Sequence, residues 1–348
     1  MNGSTSAREI NSLNISVVIP VHNGGENFRE CLSSLSKFMT PSTEIIIVID
    51  GGIDESHQLA EDFGAKVFAF PTAGGPARAR NLGARNAQGD IILFLDADVT
   101  VCTDIVSQVA KIFHNQPDLA ALIGSYDDLP GASNFLSQYK NLFHHYTHQT
   151  ASEDASTFWG ACGAIRRKIF FEIGGFDESY RYPSVEDIEL GYRLKKAGYH
   201  IQLCRSIQVK HLKHWRAFSL LRAEIFYRAL PWTELIWRDR QLSTNDLNLK
   251  LSSRLSLVLT YALTAAVIGS WWSVSALVIA SGLALILLLL NLSVYQFFRQ
   301  KRGLWFTLRV IPWHWFYFFY GGLAFVIGTI RYHLFSKHQI KKARPFLV

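Results

Sequence analysis

Ile91-Ile92-Leu93-Phe94-Leu95-Asp96-Ala97-Asp98 is an apolar run of strand length that ends on two carboxylates. A short stretch so rich in Ile and Leu reads as a strand buried on both faces. In open α/β sheets, ligands gather beyond the carboxyl ends of such strands. Two acids this close repel one another and are raised in pKa unless something neutralises them. A hard divalent ion, Mg2+ or Mn2+, does so while keeping coordination sites for phosphate oxygens. A plainer role also fits, an acid pair capping the following helix, and Asp-x-Asp by itself does not choose between them.

Upstream of this run the pattern is regular. Ile15–Val21 and Glu44–Ile49 read as strands. After the first, a Gly24-Gly25 turn leads into a helix whose Phe28, Cys31, Leu32, Leu35 and Phe38 recur at helical spacing. A second helix is expected to start at Asp54 as its N-cap, with Leu59, Ala60 and Phe63 inward. Lys66–Phe70, an Ala-rich helix from Pro76 to Ala87 and then Ile91–Leu95 complete a strand-helix alternation. That order predicts a parallel, doubly wound sheet. Downstream the alternation loosens into helices over 104–114 and 134–147, strands over 119–126 and 157–164, a helix over 185–197 ended by Gly198, and two short strands at 201–204 and 207–210.

Charge marks where a different region begins. Of the 35 Lys+Arg and 28 Asp+Glu in 348 residues, the first 204 residues hold 16 and 24, and the remainder 19 and 4. The net +7 therefore belongs to the C-terminal part, where the basic residues are mixed with Trp, Phe and Leu. That mixture suits a membrane surface rather than a nucleic-acid groove. Trp215, Phe218, Leu221, Ile225, Trp232, Leu235 and Ile236 alternate with Arg216, Arg222, Arg228 and Arg238, which predicts interfacial helices broken near Pro231. Leu255–Ser293 is 39 residues without a charge, enough for two crossings joined at Trp271-Trp272, since one crossing needs about 20 residues. Pro312–Ile330 reads as a third crossing, although three would put Arg331 and the basic tail on the side the positive-inside rule disfavours; a re-entrant last segment is the alternative. Cys31, Cys102, Cys162 and Cys204 are too scattered for a zinc site or a disulfide framework, and residues 1–13 lack a signal-peptide core.

Five segments in order carry a resemblance: Ile15-Ser16-Val17-Val18-Ile19-Pro20-Val21-His22-Asn23, Glu44-Ile45-Ile46-Ile47-Val48-Ile49-Asp50-Gly51, Ala79-Arg80-Asn81-Leu82-Gly83, Asp96-Ala97-Asp98 and Glu186-Asp187. The chain from Ile15 to Trp215 resembles glycosyltransferase family 2, inverting enzymes of GT-A fold, in a membrane-anchored form. The resemblance implies a Rossmann-like mixed α/β sheet followed by C-terminal transmembrane helices. It further implies that backbone at Pro20 and Val21 flanks the donor's base, and that Asp50 accepts from it. Asp96 would touch ribose or a metal-bound water, and Asp98 would ligate the metal. The family's usual acid before Asp50 is Ile49 here, and its Ser two places after is Gly52, which loosens the base assignment. Arg80 reads either as stacking on the base or holding a phosphate, or as part of a solvated helix face. Asp187, 89 residues after Asp98, is the candidate general base, kept ionised by the first turn of its helix. Glu186 and the small-residue segment Gly160-Ala161-Cys162-Gly163 stand for the acceptor and donor-sugar loop, with packing as the plainer account of the glycines.

His211-Leu212-Lys213-His214-Trp215 occupies the place of the processive members' Gln-x-x-Arg-Trp, keeping only Trp215, which argues against a cellulose-synthase-like polymerase. His211 either completes the metal site or belongs to a headgroup-facing cluster. The expected protein is an integral cell-membrane glycosyltransferase with a cytoplasmic catalytic domain. It would move a sugar from a nucleotide-sugar, UDP favoured, to a lipid or lipid-linked glycan with Mn2+ or Mg2+ as cofactor. A polyprenyl-phosphate acceptor is the alternative, and a non-catalytic nucleotide-binding scaffold of degenerate GT-A fold is the reading outside enzymology. The expected organisation is a polar tail (1–13), the GT-A domain (14–210), interfacial helices (211–250), about three crossings (251–334) and a basic tail (335–348).

Overall fold

The computed structural model describes residues 13–39, 43–239 and 250–336. The polar tail before residue 13 and the basic tail after residue 336 lie outside the described residues.

Eight strands form one sheet in the order β3-β2-β1-β4-β7-β6-β8-β5. The left half is parallel: β1 (Ile15–Val21) lies between β2 (Glu44–Asp50) and β4 (Ile91–Leu95), with β3 (Lys66–Phe70) at the edge beyond β2. Ile91 to Leu95 are all fully buried, as a strand with helices on both faces requires. One core beneath the sheet gathers Val17, Ile19 and Leu93 with Phe28 and Leu35 of α1 (Gly25–Ser36). The other gathers Val18, Ile46 and Phe94 with the alanines of α3 (Pro76–Asn86).

The right half is mixed. β7 (Cys162–Arg166) runs antiparallel between β4 and β6 (Ala121–Tyr126). β8 is a single strand, Ile201–His211, parallel to β6, so the two short strands expected at 201–204 and 207–210 are one. The register shift between Ile123 and Ser125 supplies the irregularity that the sequence suggested as a gap. A three-residue strand the sequence reading missed, β5 (Val99–Val101), pairs with the end of β8 and joins Asp98 to His211. The strand expected over 157–164 starts only at Cys162. α2 (Ser56–Asp62) begins one residue later than expected, with Glu55 at the N-cap position; Asp54 instead accepts from the N–H groups of Ser56 and Gly25. The remaining helices of this domain are α4 (Ile105–Asn115), α5 (Phe135–Gln149), α6 (Arg167–Glu172) and α7 (Glu186–Lys196).

After β8 the chain does not break at Pro231. α8 (Ala217–Arg222) passes through a π-helical segment (Ala223–Ala229) into α9 (Leu230–Arg238). Proline lacks the N–H that would bond four residues back and crowds that carbonyl. Here the carbonyl of Tyr227, four residues before Pro231, accepts from Ser184 Oγ at 2.7 Å. The wider turn removes the clash that a regular helix would meet.

α10 (Leu251–Gly269) and α11 (Val274–Leu290) form a hairpin with Trp271 and Trp272 exposed at its tip, and Asn291 at its base donates to Ser256 Oγ. α12 (Leu292–Arg331) kinks at Gly303, whose φ of 82° is open to glycine. By length and composition, Leu251–Gly269 and Leu292–Leu334 are long and apolar enough to cross a membrane; Val274–Leu290 is a shorter apolar helix. α12 differs from the hairpin in its company. Arg302 before the kink bonds the Asp128 carbonyl, the Phe306 ring lies tilted 5.1 Å from Phe135, and Tyr317 lies 5.5 Å from Phe143 of α5. At its far end Trp237 Nε1 of α9 donates to Thr329 and Arg331 pairs with Glu234. Its contacts run from the Asp128 loop and α5 to α9.

Candidate active site

The carboxyl end of β4, the N-terminus of α7 and the end of β8 converge on one cavity of about 510 Å³, within the range of small-molecule sites. Asp96, Asp98, Glu186, Asp187, His211 and Trp215 all line it. These residues, distant in sequence, were expected to meet.

Asp98 and His211 face each other, with Nε2 3.5 Å from Oδ2. Strand pairing sets this distance: Val99 is opposite His211, and Leu212 N–H donates to the Asp98 carbonyl. The imidazole stacks on Tyr126 at 4.5 Å, and its Nδ1 donates to Asn141 Oδ1 at 2.7 Å. That bond fixes the ring with Nε2 turned toward Asp98, the orientation a metal-binding histidine takes from its second partner. Burial alone would raise Asp98, but the neighbouring His211 and Lys213 outweigh it and hold the carboxyl well below the usual range. Among the described residues no group of three or more His, Cys, Asp or Glu is arranged around one point. The fit is therefore of two protein ligands, suited to a divalent ion that keeps places for water and phosphate.

Of the two readings of Arg80, burial excludes the solvated helix face. Its guanidinium is buried between two carboxylates, Nη1 2.9 Å from Glu186 Oε1 and Nη2 2.7 Å from Asp96 Oδ1. It ties α3, β4 and α7 together. Asp50 has backbone partners of its own. Its two oxygens accept from the N–H groups of Gly74 and Gly75, each at 2.8 Å, and so shape the turn into α3. Gly75 has φ of 95°, and an added Cβ would lie 2.6 Å from the Arg181 backbone. Pro20 and Val21 end β1 beside β2 and, with Asp50, stand apart from the residues lining this cavity.

Asp187 accepts from Gly160 N–H at 3.0 Å and from Ile188 N–H at 2.8 Å. The helix terminus was expected to keep it ionised. Burial, reinforced by Glu186, instead outweighs those bonds and Arg80 and raises its pKa to about 6. Gly160 is required on steric grounds too: a Cβ there would come within 2.7 Å of Arg80 Cζ. Cys162 and Gly163 serve packing. The Cys162 side chain is fully buried in the sheet core with its thiol pushed up to about 12, and a Cβ on Gly163 would strike the Trp159 carbonyl at 2.4 Å.

The sequence reading missed one wall of the cavity. Lys140, His144 and His148 of α5 line it with Trp159, and from the other side come Glu224 and Arg228 of the π-helical segment and Tyr317 of α12. The signal lay in α5, read only as amphipathic: His144 and His148 stand four residues apart on a face that is otherwise buried, with ring centroids 4.1 Å apart.

Residues 16–174 match the family described as glycosyl transferase family 2, and residues 140–216 match the N-terminal domain of galactosyltransferase. A probable glycosyltransferase of Bacillus subtilis is 28% identical over 205 residues, 54% of this chain and 48% of that protein. The pre-mycofactocin glycosyltransferase of Mycobacterium tuberculosis is 27% identical over 224 residues, 61% of this chain and 46% of its own. The chain thus spans about half the length of these curated relatives. Among solved structures, a Pyrobaculum calidifontis mannosyltransferase in complex with GDP-Man and Mn2+ superposes with a TM-score of 0.62 at 15% identity, covering 93% of this chain and 88% of that one. Staphylococcus aureus TarS in complex with UDP-GlcNAc gives 0.51 at 18% identity over 67% of each chain. These two likenesses establish the fold, a mixed Rossmann-like sheet of GT-A type. With the acids met in the family's order and the family match over the same stretch, residues 16–174 form a region similar to glycosyl transferase family 2.

Proposed function

We propose that the protein is a membrane-bound inverting glycosyltransferase that moves a sugar from a nucleotide-sugar to a lipid or lipid-linked acceptor. The observation that carries this reading is the single cavity, which has Asp98 and His211 on one wall, Asp187 on another and Tyr317 of the apolar helix α12 on a third. The donor's diphosphate would lie toward Asp98 and His211, with Lys213 adding positive charge. A divalent ion held there neutralises the charge that develops on the leaving diphosphate. One carboxylate and one imidazole suit Mn2+ better than Mg2+, whose usual ligands are all oxygens. The P. calidifontis neighbour, in complex with GDP-Man and Mn2+, supports nucleotide-sugar and metal, while the TarS complex carries a uridine nucleotide. We favour a UDP-sugar.

Asp187 is the proposed base. With a pKa of about 6 it is ionised at neutral pH yet basic enough to take the acceptor hydroxyl's proton as the new glycosidic bond forms. Arg80 positions it at one remove, by fixing Glu186 in the preceding residue and Asp96 across the cleft. Gly160 N–H aims the carboxylate.

In this reading α10 and α11 cross the membrane as a hairpin, and α12 lies in the interface against the domain. An interfacial α12 is preferred here to a third crossing, because Arg302 near its kink bonds the Asp128 carbonyl of the domain and Arg331 at its far end pairs with Glu234 of α9. Arg299, Lys301, Arg302, Arg309 and Arg331 then share the domain's side, in keeping with the positive-inside rule.

The test is product analysis after incubating membranes containing the full chain with labelled UDP- and GDP-sugars and Mn2+. Label is expected in the lipid phase from one donor, with inverted anomeric configuration. No transfer from any donor, together with no nucleotide release, would favour the nucleotide-binding scaffold.

A further inference from the structure

The cavity is electrically polarised. Around its Asp187 end stand Asp96, Asp98 and Glu186, with Arg80 alone buried among them as a cation. At the end formed by α5 and the π-helical segment the balance reverses. Glu224 is buried, and one of its oxygens, Oε1, takes both Lys140 Nζ at 2.7 Å and Arg228 Nη1 at 3.3 Å. Lys140 alone ties α5 to the π-helical segment, whereas Arg228 meets Glu224 within that segment, four residues on. Arg228 is thus a second cation on a carboxylate that Lys140 already neutralises, with Asp187 acting on it without forming an ion pair, and a surplus of positive charge in a part-buried site favours a bound anion. Arg222, held by its guanidinium over Tyr227 at 5.6 Å, adds to the same surplus. Lys140 reports the strain: burial, with Arg228 adding to it, lowers its pKa to about 8 even with Glu224 beside it. Arg228 retains partial exposure, so the guanidinium is open to the cavity beyond its bond to Glu224.

We infer that Lys140, Glu224 and Arg228 form a binding site for one anionic phosphate or diphosphate group of the acceptor, separate from the donor's diphosphate site at Asp98 and His211. This rests on the glycosyltransferase reading. It deepens that reading by giving the acceptor a charge and a direction. The donor diphosphate belongs to the metal-ligand wall, so a second anion site at the other end of the cavity serves the acceptor. The floor there is Tyr317 of α12, which places a lipid phosphate against the apolar helices with its chain toward the bilayer. The π-helical turn has a purpose in this arrangement, since it brings Glu224 and Arg228 to the cavity side by side. Binding requires no covalent step, and the phosphate is a handle that leaves the acceptor hydroxyl to Asp187.

The experiment uses the full chain in detergent micelles and follows Trp fluorescence, because Trp159, Trp215 and Trp232 line the cavity. Farnesyl phosphate, farnesol and inorganic phosphate are titrated in turn, and UDP with Mn2+ and GDP with Mn2+ are titrated separately as readouts of the donor site. Farnesyl phosphate should bind the wild type about ten-fold or more tightly than farnesol, and Arg228→Gln should remove that advantage while Arg228→Lys restores part of it. Lys140→Gln, which leaves a neutral Glu224–Arg228 pair within the π-helical segment, should also remove it. Nucleotide binding should be unchanged in all three variants. Equal binding of phosphate and alcohol, or full binding in the folded Lys140→Gln protein, would make the cluster a structural tie and overturn the inference. Inorganic phosphate binding as tightly as farnesyl phosphate would overturn the lipid source in favour of a free anion. Retained nucleotide binding in those outcomes leaves the glycosyltransferase reading standing, whereas binding of neither nucleotide by the wild type would count against that reading itself.

Discussion

Arg80 shows how much of a residue's work lies in partners that the sequence does not reveal. From sequence it was a cation on an Ala-rich helix near a nucleotide site; in the structure it is a buried clamp on Asp96 and Glu186. Nothing in spacing reveals that partner 106 residues away. Replacing it with Met would leave Glu186 buried and unpaired, a loss of about 3 kcal/mol or more, read as a fall in the melting temperature. Arg80→Lys should recover only part of it, since one ammonium cannot fork between two carboxylates. Asp187 has the opposite history: its place was legible, its protonation was not. Its pKa is raised from 3.8 to about 6, so the folded state holds its proton more tightly than the unfolded chain does. The stability this contributes is full below about pH 4 and is lost as pH rises through about 6. Asp187→Asn should therefore melt higher than wild type at pH 8 and show little gain at pH 4. The rate of transfer should fall below about pH 6 with a slope of one proton, as measured in a pH–rate profile.

At the scale of elements, the parallel half of the sheet was readable because β1, β2 and β4 are uninterrupted apolar runs punctuated by glycine and acid. The mixed half was harder. β5 is three residues long, and β8 carries a register shift that imitates a break. Those two strands are what bring Asp98 to His211, so the candidate metal pair could be named from sequence but its scaffold could not. α5 supplies the outer support through Asn141, whose oxygen fixes the His211 ring. Asn141→Ala should lower the affinity for Mn2+ by about ten-fold or more without abolishing it, an effect of the size seen when a ligand's outer partner is lost. Titration of Mn2+ against nucleotide binding would measure it. The break expected at Pro231 failed for a physical reason as well: a proline stops a regular helix, but the π-helical turn before it gives the freed Tyr227 carbonyl to Ser184.

For the whole molecule, charge asymmetry and a 39-residue uncharged stretch led to the expectation of a membrane region, and in the proposed reading the number of crossings depends on where the last helix lies. α12 runs beside α5, the π-helical segment and α9, and lines the candidate cavity with Tyr317. A cysteine at Ser273, in the tip of the hairpin, should react with an impermeant maleimide added outside intact cells. One placed after Val348 should react only after the membrane is opened; labelling of both from outside would restore a third crossing. Asp187 is the carboxylate proposed to lie between donor and acceptor. The most direct measurement of the central claim is transfer of label from the preferred nucleotide-sugar to lipid by Asp187→Asn, with nucleotide binding followed in the same preparation. A fall of about a thousand-fold in transfer with nucleotide binding intact is the predicted result; transfer within a few-fold of wild type would contradict Asp187 as the base.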